Sequence, residues 1–303
     1  MTDVKIAGLS LKNPVIAASG TFGVGRQFAD FIDLNRLGGI SVKGLTLEPR
    51  QGNPAPRIAE TPGGMLNSVG LQNPGVQSFI EEDVPWLMQY DTTIIANISG
   101  NTVDEYCRMA EILNDVPQVE ALEVNVSCPN VKAGGLAFGT QPQLIEELTA
   151  KIKDIYSRTV IVKLTPNVTC IATAAKAAEA GGADCVSMIN TILGMAIDIN
   201  TRRPILKNNM GGLSGPCVKP VAVRMVNQVY NAVEIPIIGM GGITTGEDAI
   251  EFILAGASAI MVGTANLVDP DACIKVIDGI ENYLHINGYK SINDIVGKVE
   301  LWS

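Results

Sequence analysis

A small set of polar residues stands just past short apolar runs, where side chains are free to do chemistry. Ser19-Gly20, Lys43-Gly44, Asn97, Asn125, Lys163 and Asn190-Thr191 all occupy such positions. Any one of them is accounted for as a loop cap. Two lysines and three asparagines in equivalent places suit a planar ligand rich in amide and carbonyl groups, together with a carboxylate. Acid–base work needs a further group. His285 is the only histidine, far along the chain in a helical pattern, and reads as a surface or packing residue. Glu123 lies inside an apolar run rather than at its end. Cys128 follows such a run directly, in a proline-flanked loop, whereas Cys170, Cys185 and Cys273 fall in helix-like or strand-like apolar surroundings and read as buried. A thiolate at Cys128 is able to remove a weakly acidic carbon-bound proton, provided the loop excludes water.

The elements that must position these residues alternate along the chain. β-Branched or apolar runs recur at Val15–Ala18, Ile40–Val42, Thr93–Asn97, Leu122–Val126, Val160–Leu164, Cys185–Ile189, Pro236–Gly239 and Ile260–Val262. Amphipathic stretches at Gln143–Tyr156, Ile171–Ala180, Val218–Asn231 and Glu247–Ala255 separate several of them. Strand–helix alternation implies parallel βαβ units, and eight strands in about 260 residues predict a closed (β/α)8 TIM barrel of one domain spanning 1–303. Val4–Ile6 and Leu9–Leu11 flank Ala7-Gly8 and predict an N-terminal β-hairpin that plugs the barrel bottom. Leu45–Trp86 and Thr191–Gly215 are too long for simple connections and are read as long loops over the C-terminal face, the face that carries barrel active sites.

Two late turns are glycine-rich: Gly239-Met-Gly241-Gly242 and Gly263-Thr264. Barrels commonly hold a phosphate between the loops after strands seven and eight, using backbone N–H groups. Gly239-x-Gly241 has no following βαβ unit with a ribose-binding acid, so a mononucleotide fits better than a dinucleotide. Glycine there also simply permits tight turns.

Bulk properties set the outer limits. The chain has 303 residues, 47% hydrophobic, with a formal charge of −9 and no basic stripe, which argues against nucleic-acid binding. The first residues lack a basic stretch followed by an apolar core, and no apolar run approaches the roughly 20 residues of a membrane span. The six cysteines are scattered without a CxxC pair, so no metal site is expected, and they read as reduced thiols of a cytoplasmic protein.

At Asn125-Val-Ser-Cys-Pro-Asn130 the sequence resembles the class 1 dihydroorotate dehydrogenases. The likeness continues in order through Ser19-Gly20, Lys43-Gly44, Asn67-Ser68-Val69-Gly70-Leu71, Asn97, Lys163, Ile189-Asn190-Thr191, Gly241-Gly242 and Gly263-Thr264. Class 2 enzymes use serine as base and carry an N-terminal membrane-associating segment, a pattern that Cys128 and this N-terminus do not match. Asn130-Val-Lys-Ala-Gly-Gly135 followed by Phe138-Gly139 resembles the 1B pattern.

The resemblance implies oxidation of (S)-dihydroorotate to orotate in de novo pyrimidine biosynthesis. Cys128 would take the C5 proton, and hydride would pass from C6 to FMN. Lys43, Asn67, Ser68, Val69, Gly70, Leu71, Asn125, Asn190 and Thr191 would hold the substrate. Ser19, Lys43, Gly44, Asn97, Asn125, Lys163, Ile189, Gly215, Gly241, Gly242, Gly263 and Thr264 would hold FMN. The segment after Cys128, residues 130–140, would act as a lid. Class 1B further implies an NAD⁺-linked heterotetramer of two such subunits and two partners carrying FAD and a [2Fe–2S] cluster. Other readings remain open at this point: a fumarate-dependent 1A homodimer, a dihydropyrimidine dehydrogenase-like flavoenzyme, an aldolase or isomerase with Lys163 as a Schiff-base residue, or a barrel without catalysis.

Overall fold

The computed structural model describes residues 1–127 and 138–302. Eight parallel strands close into a barrel in chain order: Val15–Ala17, Gly39–Ser41, Thr93–Ile98, Ala121–Asn125, Thr159–Lys163, Cys185–Met188, Ile237–Met240 and Ala259–Val262. The eighth strand pairs back onto the first, Met261 opposite Ile16. Valine, isoleucine and alanine dominate these strands, and every residue of strands three and five is buried. That is the composition of parallel strands covered by helices on the outside and packed within. The helical stretches appear where the apolar periodicity places them, at Pro142–Ile155, Ile171–Ala180, Lys219–Tyr230 and Gly246–Ala255. Thr245 begins the last of these with a reciprocal capping box to Asp248, satisfying two otherwise free backbone donors.

Side-chain alternation along the strands decides what faces the barrel axis. Ser41, Asn97, Glu123, Asn125, Lys163 and Ser187 all have odd numbers, and several pair directly across the sheet: Asn97 with Glu123, Asn125 with Lys163, Ser187 with Lys163. Their even-numbered neighbours, Ala96, Leu122, Val124, Val162 and Val186, belong to the buried apolar core. The barrel interior therefore turns polar toward its C-terminal end.

Val4–Ile6 and Leu9–Leu11 form the expected antiparallel hairpin, with Val4, Ile6, Leu9 and Leu11 buried and Lys5 and Ser10 exposed. The Thr159 hydroxyl, at the start of strand five, donates to the Ala7 carbonyl at 2.6 Å and ties the hairpin turn to the barrel bottom.

The two long intervals are more ordered than loops. Ile58–Thr61 and Gly64–Asn67, from the excursion after strand two, join Ile192–Gly194 and Gly211–Ser214, from the excursion after strand six, in one four-stranded antiparallel sheet. Strands two and six stand opposite each other in the eight-membered ring, so this sheet joins opposite sides of the barrel mouth. Among the described residues no helix is long and apolar enough to cross a membrane.

Candidate active site

The floor of the mouth is organised by Glu123. It is fully buried, and its Oε2 accepts hydrogen bonds from Ser41 Oγ at 2.8 Å and Asn97 Nδ2 at 2.5 Å. Its Oε1 accepts from Ser187 Oγ at 2.6 Å, and the Lys163 ammonium lies 3.5 Å from Oε2. Burial pushes this carboxyl up. The Lys163 charge and the hydrogen bonds from Ser187, Asn97 and Ser41 outweigh that and hold it below the usual carboxylate range. A depressed folded-state value stabilises the fold above the unfolded value of about 4.3, and that contribution is lost as pH falls through the folded value. The stability difference between wild type and E123Q is thus expected to be constant from pH 7 to about 5 and to shrink below about 4. Thermal unfolding across that range checks this, and a pH-independent difference would contradict it.

Lys163 is 5% exposed and also donates to Ser19 Oγ at 3.4 Å, which links strand five to the turn after strand one. Lys43 follows strand two. Its ammonium approaches the Gly20 carbonyl at 3.4 Å, and among the described residues it has no ion-pair partner. Burial, then the nearby charges of Arg57 and Lys163, push its pKa below the ordinary lysine value. An anion placed beside it would reverse that penalty.

The asparagines form a connected set. Asn190 Nδ2 donates to Asn125 Oδ1 at 3.3 Å, and Asn190 Oδ1 accepts from the Thr191 backbone N–H at 2.8 Å. Gly212 packs so closely on Thr191 that a Cβ there would lie 2.0 Å from the hydroxyl oxygen, and its carbonyl accepts from Asn67 Nδ2 at 3.4 Å. Asn67 begins the run Ser68-Val69-Gly70-Leu71. That run is pinned by Ser68 N–H to the Arg57 carbonyl and by Asn53 N–H to the Val69 carbonyl. Leu71 adopts a left-handed φ of 54°, and its side chain reaches over Gly44, beside Asn97 Oδ1.

The two glycine turns both adjoin the segment Ser214-Gly215. Ile189 donates its N–H to the Met240 carbonyl, and its side chain covers Gly241. Thr264 Oγ1 donates to Ser214 Oγ at 2.8 Å, and Thr21 Oγ1 donates to the Gly263 carbonyl at 2.9 Å. Gly242 has φ +86°, and a Cβ there would sit 2.8 Å from Lys219 Cβ and 2.9 Å from the Gly215 carbonyl. Gly263 is different: a Cβ would meet only Ala18, at 3.6 Å, so space is left above the turn. Gly242→Ala is expected to strain the backbone and destabilise the fold by about 1–3 kcal/mol. Denaturant unfolding measures the effect, and unchanged stability would argue against a strained, tightly packed turn at Gly242.

The structure places the described members of the expected set at the strand ends and loops of the barrel mouth, whereas Cys128 lies, with residues 130–137 of the expected lid, outside the described residues. Sequence reasoning missed Glu123 as a hub and its partners Ser41 and Ser187. Two more omissions are Ser99 and Ser127, whose buried hydroxyls have no hydrogen-bond partner among the described residues, as is also true of Ser68. Odd-numbered polar residues on otherwise apolar strands were the available signal for Ser41 and Ser187.

The cysteines need one correction. Cys185 and Cys273 are buried, Cys273 with its thiol pushed up to about 12 by desolvation, but Cys170 is exposed. It stands at the N-cap of the helix Ile171–Ala180, where the neighbouring Thr173 holds its thiol below the usual range. Its chain neighbours are apolar only in the helix that it precedes. Cys170 lines a cavity of about 680 Å³ with Asn167 and with Gly139 and Thr140 of the expected lid, and among the described residues none of the expected substrate- or cofactor-binding side chains lines it. His285 is exposed in the last turn of the helix Ala272–Ile286, away from the mouth.

Comparison with known proteins agrees with this geometry. The family model described as dihydroorotate dehydrogenase matches residues 1–284. The chain is 61% identical over 296 residues to the dihydroorotate dehydrogenase B (NAD(+)) catalytic subunit of Alkaliphilus metalliredigens, covering 98% of each chain. It is 56% identical over 298 residues to the proteins of the same name from Thermoanaerobacter pseudethanolicus and Bacteroides fragilis, again over 98% of each chain. With a family model spanning the barrel and full-length relatives at this identity, the chain belongs to the dihydroorotate dehydrogenase family.

Proposed function

We propose that this chain oxidises (S)-dihydroorotate to orotate in de novo pyrimidine biosynthesis, as a single catalytic domain working in the cytoplasm. FMN is its resident cofactor, and the electrons leave for NAD⁺ through a second subunit carrying FAD and a [2Fe–2S] cluster, two copies of each making a heterotetramer. The relatives' shared name, an NAD(+) catalytic subunit, supports the division of labour. The observation that carries the substrate assignment is Lys43: a penalised ammonium without a carboxylate partner among the described residues, beside a cluster of amides. A carboxylate-bearing cyclic diamide supplies what that arrangement lacks.

The residues present fit FMN. Backbone around Gly241, Gly242, Gly263 and Thr264, bordered by Gly215 and Ile189, would receive the phosphate, and the room above Gly263 leaves it space. Ser19, Lys43, Gly44, Asn97, Asn125 and Lys163 would surround the ring. FMN, when bound, supplies the acceptor for the hydride leaving C6 of the substrate. Lys163 would stabilise the negative charge that the cofactor ring gains on reduction. Lys43 binds the substrate carboxylate, while Asn67, Asn125, Asn190 and Thr191 match its alternating N–H and C=O groups and fix its face. Ser68, Val69, Gly70 and Leu71 would complete the substrate-binding set beside Asn67. Cys128, as thiolate, removes the C5 proton.

The experiment is to purify the chain alone, load it with FMN, and assay dihydroorotate oxidation with NAD⁺ and with fumarate. Inactivity with NAD⁺ until an iron–sulfur flavoprotein is added is the expected result. Turnover with fumarate would replace this reading by the fumarate-dependent one, and a flavin spectrum that orotate does not shift would favour an uncharged pyrimidine substrate.

A further inference from the structure

Glu123 takes no part in the chemistry above, yet it is the most heavily bonded side chain of the floor. Its four polar neighbours come from strands two, three, five and six, so one carboxylate holds five strands of the barrel to a common point. Such layers are ordinarily filled by valine, isoleucine and leucine. Apolar replacement of a buried ion pair is often neutral or stabilising, so fold stability is a weak reason for a charge at this depth. The choice of neighbours is informative. Asn97 and Lys163 are two of the side chains proposed to touch the flavin ring, and Glu123 fixes both. A carboxylate accepts only, so the Asn97 amide must turn its Nδ2 toward Glu123, as observed, leaving Oδ1 aimed past Gly44 toward the site. Lys163 is held between Oε2 of Glu123 and Oγ of Ser19, with donor capacity left for a ligand.

We propose that Glu123 is a positioning and charge-balancing residue for the flavin: it orients the Lys163 ammonium and the Asn97 amide, and its carboxylate offsets the lysine charge beneath the ring. The inference rests on the reading that FMN occupies this floor. An uncompensated ammonium would favour the reduced, more negative cofactor and hold back its electrons. A carboxylate 3.5 Å from that ammonium lowers this bias, which suits a subunit that must pass electrons onward.

Two variants of the full chain separate charge from position, with FMN affinity and the reduction potential of bound FMN as readouts. E123Q keeps the shape and removes the charge. It is expected to favour reduced over oxidised flavin at least tenfold relative to wild type, about 30 mV for a two-electron couple. E123D keeps the charge and shortens the reach. It is expected to hold the equilibrium constant within threefold of wild type while binding FMN at least tenfold more weakly. A wild-type potential in E123Q overturns the charge-balancing role, and wild-type FMN affinity in E123D overturns the positioning role, whether or not E123Q folds. Failure of the wild-type chain to take up FMN overturns the underlying flavin reading, a result distinct from either.

Discussion

Cys128→Ala is expected to lower the rate of flavin reduction by dihydroorotate at least about 10³-fold, within the range of about 10²–10⁴ for loss of a general base, while FMN and orotate still bind. The expectation follows from what else the floor contains. Glu123 is held ionised but is fully buried and saturated with donors, so it has no route to a substrate proton. Lys163 is committed to Glu123 and Ser19. His285 is on the surface. Cys170 is the one competing thiol with an acid-shifted pKa among the described residues, and none of the described substrate- or cofactor-binding candidates lines its cavity. Cys170→Ser therefore serves as the control and should reduce at the wild-type rate. Stopped-flow absorbance measures both. Thiols titrate near 8.5, so wild-type reduction should accelerate as pH rises toward that value. Cys128→Ser should keep weak activity with its optimum displaced upward, because a hydroxyl yields its proton less readily. An unchanged pH profile in that variant would contradict a cysteine base.

Lys163→Met is the second large effect, and it is one of stability as well as chemistry. Removing one partner of a buried pair leaves the other charge uncompensated, at a cost of about 3–5 kcal/mol. Here Glu123 would retain its three hydrogen bonds but lose the cation that most opposes its desolvation. Its carboxyl would then rise toward or above the unfolded value, so the variant's deficit should be greatest at neutral pH and diminish on acidification. Adding E123Q to Lys163→Met should restore much of the loss, because the charge that had no partner is gone. Denaturant unfolding of the four flavin-free proteins gives the cycle directly. Additive single-variant effects, with no recovery in the double variant, would mean that the two side chains act independently despite their 3.5 Å separation.

The barrel was readable because its signals are local. Runs such as Thr93–Asn97 and Val160–Leu164 have the β-branched composition of strands buried on both faces, and the helices between them keep their 3.6-residue periodicity. The hairpin shows in the alternation of Val4, Ile6, Leu9 and Leu11 around Ala7-Gly8. The sheet over the mouth was not readable. Its central pairing sets Gly212 against Asn67, 145 residues apart, and Gly211-Gly212-Leu213-Ser214 carries too little alternation to announce a strand. The same reason hid Glu123. Within its own strand it is one acidic residue in an apolar run, and only the closed ring brings Ser41, Asn97, Lys163 and Ser187 to it. Cys170 misled in the opposite way, since its apolar neighbours in sequence belong to the helix it caps and leave its own thiol in solvent.

In the proposed reaction, hydride passes from dihydroorotate to flavin bound at this barrel mouth. Anaerobic mixing of the FMN-loaded chain with (S)-dihydroorotate, without NAD⁺ or partner subunit, tests it most directly through the flavin absorbance. Complete bleaching of the oxidised flavin, with release of one orotate per FMN, is the expected result. A flavin that dithionite reduces but dihydroorotate leaves oxidised would contradict it.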